Sequence, residues 1–220
     1  ENVKNELEKG IQEAKKIQKD IDQLTKDLFD KKNLNYQEKK KIQDLLDRQK
    51  NLQNQVNELK EQNKESNLKE SQYKELNQEI VEKQQQLEKL FNEIMTDEMR
   101  KLFDELQKMM ENLDKDKLNE VMEKMKFNAE DMEKSLDRNL ELFKQLEFDK
   151  KLTETIEKLK QLSDEQEKLS EKSAGADKKD LDNLTEKQES INKEFEQIKK
   201  DLKDLKEKNE KLEDPNNYKN

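Results

Sequence analysis

The chain has no His, no Cys and no Trp, one Pro and two Gly, and aromatic residues fill only 5% of its 220 positions. Without imidazole or thiol it lacks the usual general base at neutral pH and the thiolate nucleophile. It also lacks the nitrogen and sulfur ligands of zinc, haem and iron–sulfur centres. Scarce Gly and Pro deny it the tight turns of hairpin-rich β folds and the phosphate-cradling loops of nucleotide enzymes. No run approaches the roughly 20 apolar residues that span a bilayer, and no apolar signal core opens the chain. The missing cysteines fit any redox compartment. Because the first residue is Glu1, the chain reads as a processed or excised piece of a larger protein.

What is present is charge. Lys and Arg number 46, Asp and Glu 55, giving a net charge of -9, while hydrophobic residues make up 29%. That balance argues against nucleic acid or an anionic lipid surface as partner. Such a composition leaves helix or disorder, and only the spacing of the apolar residues decides between them.

The spacing is helical. Val3, Leu7, Ala14, Ile17, Ile21, Leu24 and Leu28 alternate steps of three and four, with Gly10 in the missing place, which is a heptad seam. A polar stretch predicts a turn near 30–35, and Asn35 followed by Glu38 reads as a capping box restarting the helix. Ile42, Leu45, Leu52, Val56 and Leu59 carry the second seam, with Gln49 and Asn63 as polar interruptions. Beyond Asn63, Tyr73, Leu76, Ile80, Leu87, Leu90 and Ile94 form a series displaced in phase. Either 64–67 is a turn, with Asn67 and Glu70 capping a third helix, or one long helix absorbs a stammer. The turn is the favoured reading, making 1–95 three antiparallel helices.

All seven Met residues gather between Met95 and Met132. They mark 96–127 as a Met-rich module of short helices, the first capped at Thr96 and the second covering about 116–126. Asn128 with Asp131 then predicts a fresh start. From there 128–214 reads as a long antiparallel hairpin. Its first helix ends at Gly175 in a left-handed conformation; its second is capped by Asp177, follows Leu181, Leu184, Gln188, Ile191, Phe195, Ile198, Leu202, Leu205, Asn209 and Leu212, and stops at Asp214 and Pro215. Phe195 is expected to pack near Leu152 to Leu159, and 215–220 to be a frayed tail.

No catalytic, cofactor-binding or metal-binding residues emerge. Carboxylates on wet helix faces lack the desolvation that would hold one protonated near neutrality. Asp114, Asp116 and Glu120 superficially match a calcium loop, but its Gly and its bidentate Glu are missing, and a helix cap is the better reading. The Met-rich stretch carries the single candidate site, a partner-binding face of Met99, Leu102, Phe103, Leu106, Met109 and Met110, since flexible thioethers adapt to varied apolar surfaces. The competing reading is an ordinary core where helices meet.

One resemblance rests on Phe127, Asn128, Ala129, Glu130, Asp131 and Met132, on the run Leu136 to Glu147, and on the run Glu157 to Leu169. These resemble the central coiled-coil region of large membrane-anchored envelope proteins of Bacteroidetes, a domain of unknown function. The resemblance implies a periplasmic segment, anchored through parts outside this chain, with no functional residues to carry over. The alternative compartment is the cytoplasm.

The expectation is therefore an all-α protein of elongated antiparallel coiled-coil hairpins and a helical bundle, with no cofactor and no enzymatic activity. It would act as a scaffold or protein-interaction segment whose partner is another protein or another region of the parent chain. Two rivals are a self-associating coiled-coil spacer or filament element, and a regulatory region of an enzyme whose active part lies elsewhere.

Overall fold

The computed structural model describes residues 2–28, 34–73, 77–94, 97–111, 115–175, 177 and 180–216. It is 93% helical and all-α, with six helices and no strand among the described residues. They are α1 (Asn2–Leu28), α2 (Tyr36–Tyr73), α3 (Gln78–Ile94), α4 (Asp97–Glu111), α5 (Lys115–Ala174) and α6 (Leu181–Asn209). The chain divides into two compact units, Glu1–Phe143 and Lys144–Asn220, so α5 contributes to both.

In the first unit the α1 seam is the core. Leu7, Ala14, Ile17 and Ile21 are fully buried, and Gly10 lies where a methyl group would come 3.3 Å from Leu136 Cδ1 and 3.5 Å from Leu52 Cδ1. The glycine lets α1 approach two helices at once. Arg48 of α2 donates to Glu13 at 2.8 Å and to Asp20 at 2.7 Å across the α1–α2 contact. Burial opposes the charge of its guanidinium, but these bonds outweigh that and raise its pKa. Along α5, Lys126 pairs with Asp22, Gln18 donates to the Ala129 carbonyl, and Lys15 pairs with Glu133. Partner numbers rise on α5 as they fall on α1, so these two helices are antiparallel.

The reciprocal capping box at the start of α2 is present. Asn35 N–H donates to Glu38 Oε2 at 2.8 Å and Glu38 N–H to Asn35 Oδ1 at 3.0 Å, satisfying two otherwise orphaned donors. The turn predicted at 64–67 is not there. Helix α2 runs through it for 38 residues, because Lys64, Glu65, Ser66 and Asn67 include no helix breaker and Lys69 bridges back to Glu65 at 2.7 Å. Asn67 and Glu70 are interior helix residues, and Asn77 caps α3 instead, its Oδ1 accepting from Glu79 N–H at 2.8 Å. The phase change belongs to that later start: Ile80, Gln84, Leu87, Phe91 and Ile94 are the buried row, with Phe91 replacing Leu90. Most of the predicted 30–35 turn lies outside the described residues, as do Met95 and Thr96.

The restart at Asn128 and Asp131 is likewise absent. Helix α5 continues through both, since an interior Asn costs only a few tenths of a kcal/mol and Gly or Pro is missing until Gly175. Asn128 is instead fully buried in the first unit, where Leu118, Val121, Met122, Met125, Ala129, Met132 and Leu136 form the inward stripe of α5. The Met-rich segment thus shares a unit with the N-terminal helices.

The second unit is an antiparallel hairpin of α5 and α6, but it starts at Lys144 and not at 128, because α5 up to Phe143 belongs to the first unit. Leu162, Leu169, Ile191 and Ile198 form one apolar cluster, and Phe148, Leu205 and Leu212 another. Three further details differ from expectation. Gly175 follows the end of α5 without a positive φ. Asp177 does not cap α6; its carbonyl accepts Asp180 N–H at 2.9 Å, and this turn delays the helix to Leu181. Finally, α6 ends at Asn209 rather than at Asp214 and Pro215, because the Asn209 side chain accepts from Asn216 N–H at 2.8 Å and donates to its carbonyl at 2.9 Å. That clasp satisfies the backbone of Asn216 and holds the start of the expected frayed tail; 217–220 lie outside the described residues.

Candidate interaction surfaces

The candidate partner-binding residues all fall on α4, which the structure sets against α2. Gln43 of α2 donates to Gln107 at 3.2 Å, and Lys124 of α5 reaches Glu105 at 2.7 Å, so α4 is tied to both neighbours at its polar edges. Within the row, Leu106 is fully buried and Phe103 is buried, whereas Leu102, Met109 and Met110 are half-exposed. The Met99 side chain lies outside the description. The α4 stripe is therefore split: its centre serves the chain's own core and its margin reaches solvent. Met122, Met125 and Met132 are buried on α5, as core residues.

The polar side chains nearby are mostly engaged in structural pairings. Lys124 sits between Glu105 and Glu120, and hydrogen bonds to these two carboxylates raise its pKa. Glu120, one of the three acidic residues weighed as a calcium loop, is thus held by a lysine; Asp114 lies outside the described residues. Among the described residues no group of three acidic side chains could hold a metal ion. Deeper in the unit, Gln49 Nε2 donates to the Met125 carbonyl at 2.6 Å, so the polar interruption of the α2 seam ties α2 to α5. Gln49 Oε1 and both polar atoms of Asn128 are buried without a hydrogen-bond partner among the described residues.

The hairpin has a groove on each long face. One is lined by Lys158, Glu165, Glu194 and Asp201 together with Gln161, Gln197, Leu162 and Ile198. Asp201 accepts from Lys151 at 3.0 Å and from Gln197 at 3.2 Å; the Lys151 bond, more than burial opposes, holds its carboxyl below the usual range. The other face presents Leu159, Ser163, Gln166, Asn192 and Phe195. Phe195 adjoins Leu159, at the end of the predicted 152–159 range, but remains 47% exposed, with Lys199 Nζ 5.9 Å from its ring centre. Ile156 and Leu202 are also exposed, at 57% and 42%. Heptad spacing alone ranks these three with their buried neighbours. It does not reveal that a two-helix hairpin covers only one row of each seam.

No family model matches this chain, and neither the curated proteins nor the solved structures compared with it gave a match. No helix among the described residues is long and apolar enough to cross a membrane.

Proposed function

We propose that this chain is a non-enzymatic helical scaffold, a protein-interaction segment of a larger cell-envelope protein lying in the periplasm and anchored through other parts of that protein. The observation that carries this reading is the divided α4 stripe. Phe103 and Leu106 anchor the helix while Leu102, Met109 and Met110 remain half-exposed on its margin, giving an adaptable apolar edge on a fixed support. The envelope location comes from the resemblance of 127–169 to the Bacteroidetes coiled-coil region.

The test is a triple substitution, Leu102→Gln, Met109→Gln and Met110→Gln, compared with the parent chain in melting temperature and in binding to the remaining regions of the parent protein. The scaffold reading expects binding to fall at least about tenfold while melting changes little. A large drop in melting temperature with binding unchanged would make the row purely core. The exposed row on the hairpin favours the second reading, self-association as a spacer.

A further inference from the structure

We infer that the first unit carries a built-in opening device, a line along which α5 lifts from the α1–α2 pair while the rest of the chain stays folded. Amide side chains buried on that line without partners make it so. The inference goes beyond the scaffold reading and holds whatever the α4 margin binds.

The unpartnered atoms are Gln49 Oε1 and Gln53 Nε2 on α2, and both polar atoms of Asn128 and Oδ1 of Asn139 on α5; none has a hydrogen-bond partner among the described residues. Gln49, Asn128 and Asn139 are fully buried and Gln53 is buried. They follow one contact between the two helices. Gln49 reaches the Met125 carbonyl, one turn before Asn128. Gln53 is one turn further along α2 and adjoins Leu52, which meets Gly10 together with Leu136 of α5. Asn139 is one turn beyond Leu136, and its Nδ2 donates at 2.8 Å to the Ser135 carbonyl of its own helix.

A buried amide left unpaired costs its full desolvation, and that cost is recovered when water reaches it. Separating α5 from α2 relieves both sides of the contact at once, against the apolar burial that holds them together. A layer of paired amides would resist separation, because opening breaks the pairs. The α1–α2 contact is of that second kind, with Arg48 bonded to both Glu13 and Asp20. The ion pairs between α5 and α1, Lys126 with Asp22 and Lys15 with Glu133, involve partly exposed side chains and add little in water. The line of least resistance therefore runs along α5. Opening uncovers Met122, Met125 and Met132, which are at most 2% exposed in the closed unit.

A chain without Cys allows a direct test. Met132 is 1% exposed, so in the full chain carrying Met132→Cys iodoacetamide reaches the thiol only when α5 lifts. Alkylation should run faster than the unfolded population, measured by urea denaturation of the same variant, allows. Asn128→Leu added to this background removes two unpartnered atoms and should slow alkylation at least about tenfold. It should also raise the melting temperature by at least about 2 °C. In a chain carrying Ile191→Cys instead, in the second unit, alkylation should be indifferent to Asn128→Leu. If Asn128→Leu does not fold, Gln53→Met should produce the same slowing. Alkylation of the Met132→Cys chain no faster than global unfolding overturns the inference. So does a rate that neither substitution slows, a lower melting temperature in Asn128→Leu, or equal slowing at position 191.

Discussion

Gln166 and Gln188 exchange hydrogen bonds across the hairpin, Nε2 of Gln166 donating to Oε1 of Gln188 at 3.0 Å and Nε2 of Gln188 to Oε1 of Gln166 at 2.8 Å. Both sit at seam positions where leucine would bury more apolar surface. Two amides placed there pair only when the helices are in one alignment, so they specify register at a cost in packing.

Replacing Gln188 by Leu should remove one partner and lower the unfolding free energy by about 1 kcal/mol, since Gln166 is then left half-buried and unpaired. Gln166→Leu together with Gln188→Leu should recover that loss. A double-mutant cycle in urea measures the coupling. Spin labels at Lys158 and Lys193 should report a separation of roughly two helix diameters or less in the parent and a broadened distribution in the double variant. Equal distributions would remove the register role.

The Lys151–Asp201 pair should make hairpin stability depend on acid. The Asp201 carboxyl is held below its ordinary value by Lys151 in the folded state, so its contribution is complete above the unfolded carboxylate range near about 4 and is lost as pH falls through the folded value. Asp201→Asn should therefore cost about 1 kcal/mol at neutral pH and almost nothing in strong acid. Thermal melts of parent and variant across that range should converge downward.

Gly10 is a packing glycine. In Gly10→Ala the new methyl would lie 3.3 Å from the Leu136 side-chain tip, a small clash offset by about 1 kcal/mol of helix propensity, so stability should stay within about 1 kcal/mol of the parent. Gly10→Leu has no such room and should cost about 3 kcal/mol. Chemical denaturation of the two variants separates crowding from propensity.

Ser66 lies inside α2, so Ser66→Pro should cost about 3 kcal/mol and reduce helical ellipticity. If 64–67 were a turn, as the phase of the seams suggests, the substitution would be nearly silent.

Sequence by itself determined the all-α class, the α1 seam with Gly10 in it, the Asn35–Glu38 capping box and the direction of the hairpin. Each depends on periodicity or on groups within one or two helical turns, and such short-range physics is written directly in residue order. It placed helix starts at Asn67 and Asn128, where α2 and α5 run on unbroken, and missed the end of α6 at Asn209. An Asn can cap a helix, continue one or clasp a tail, and only its surroundings choose: the Glu65–Lys69 bridge around the first, burial among α5's apolar stripe for the second, Asn216 for the third. Nor did it divide the α4 stripe into buried Phe103 and Leu106 and half-exposed Met109 and Met110, or separate exposed Phe195 from buried Ile198. Apolar spacing records which side of a helix prefers to leave water. How many neighbours are there to cover that side is settled by tertiary packing alone, because burial is a property of the assembled helices and not of any one of them.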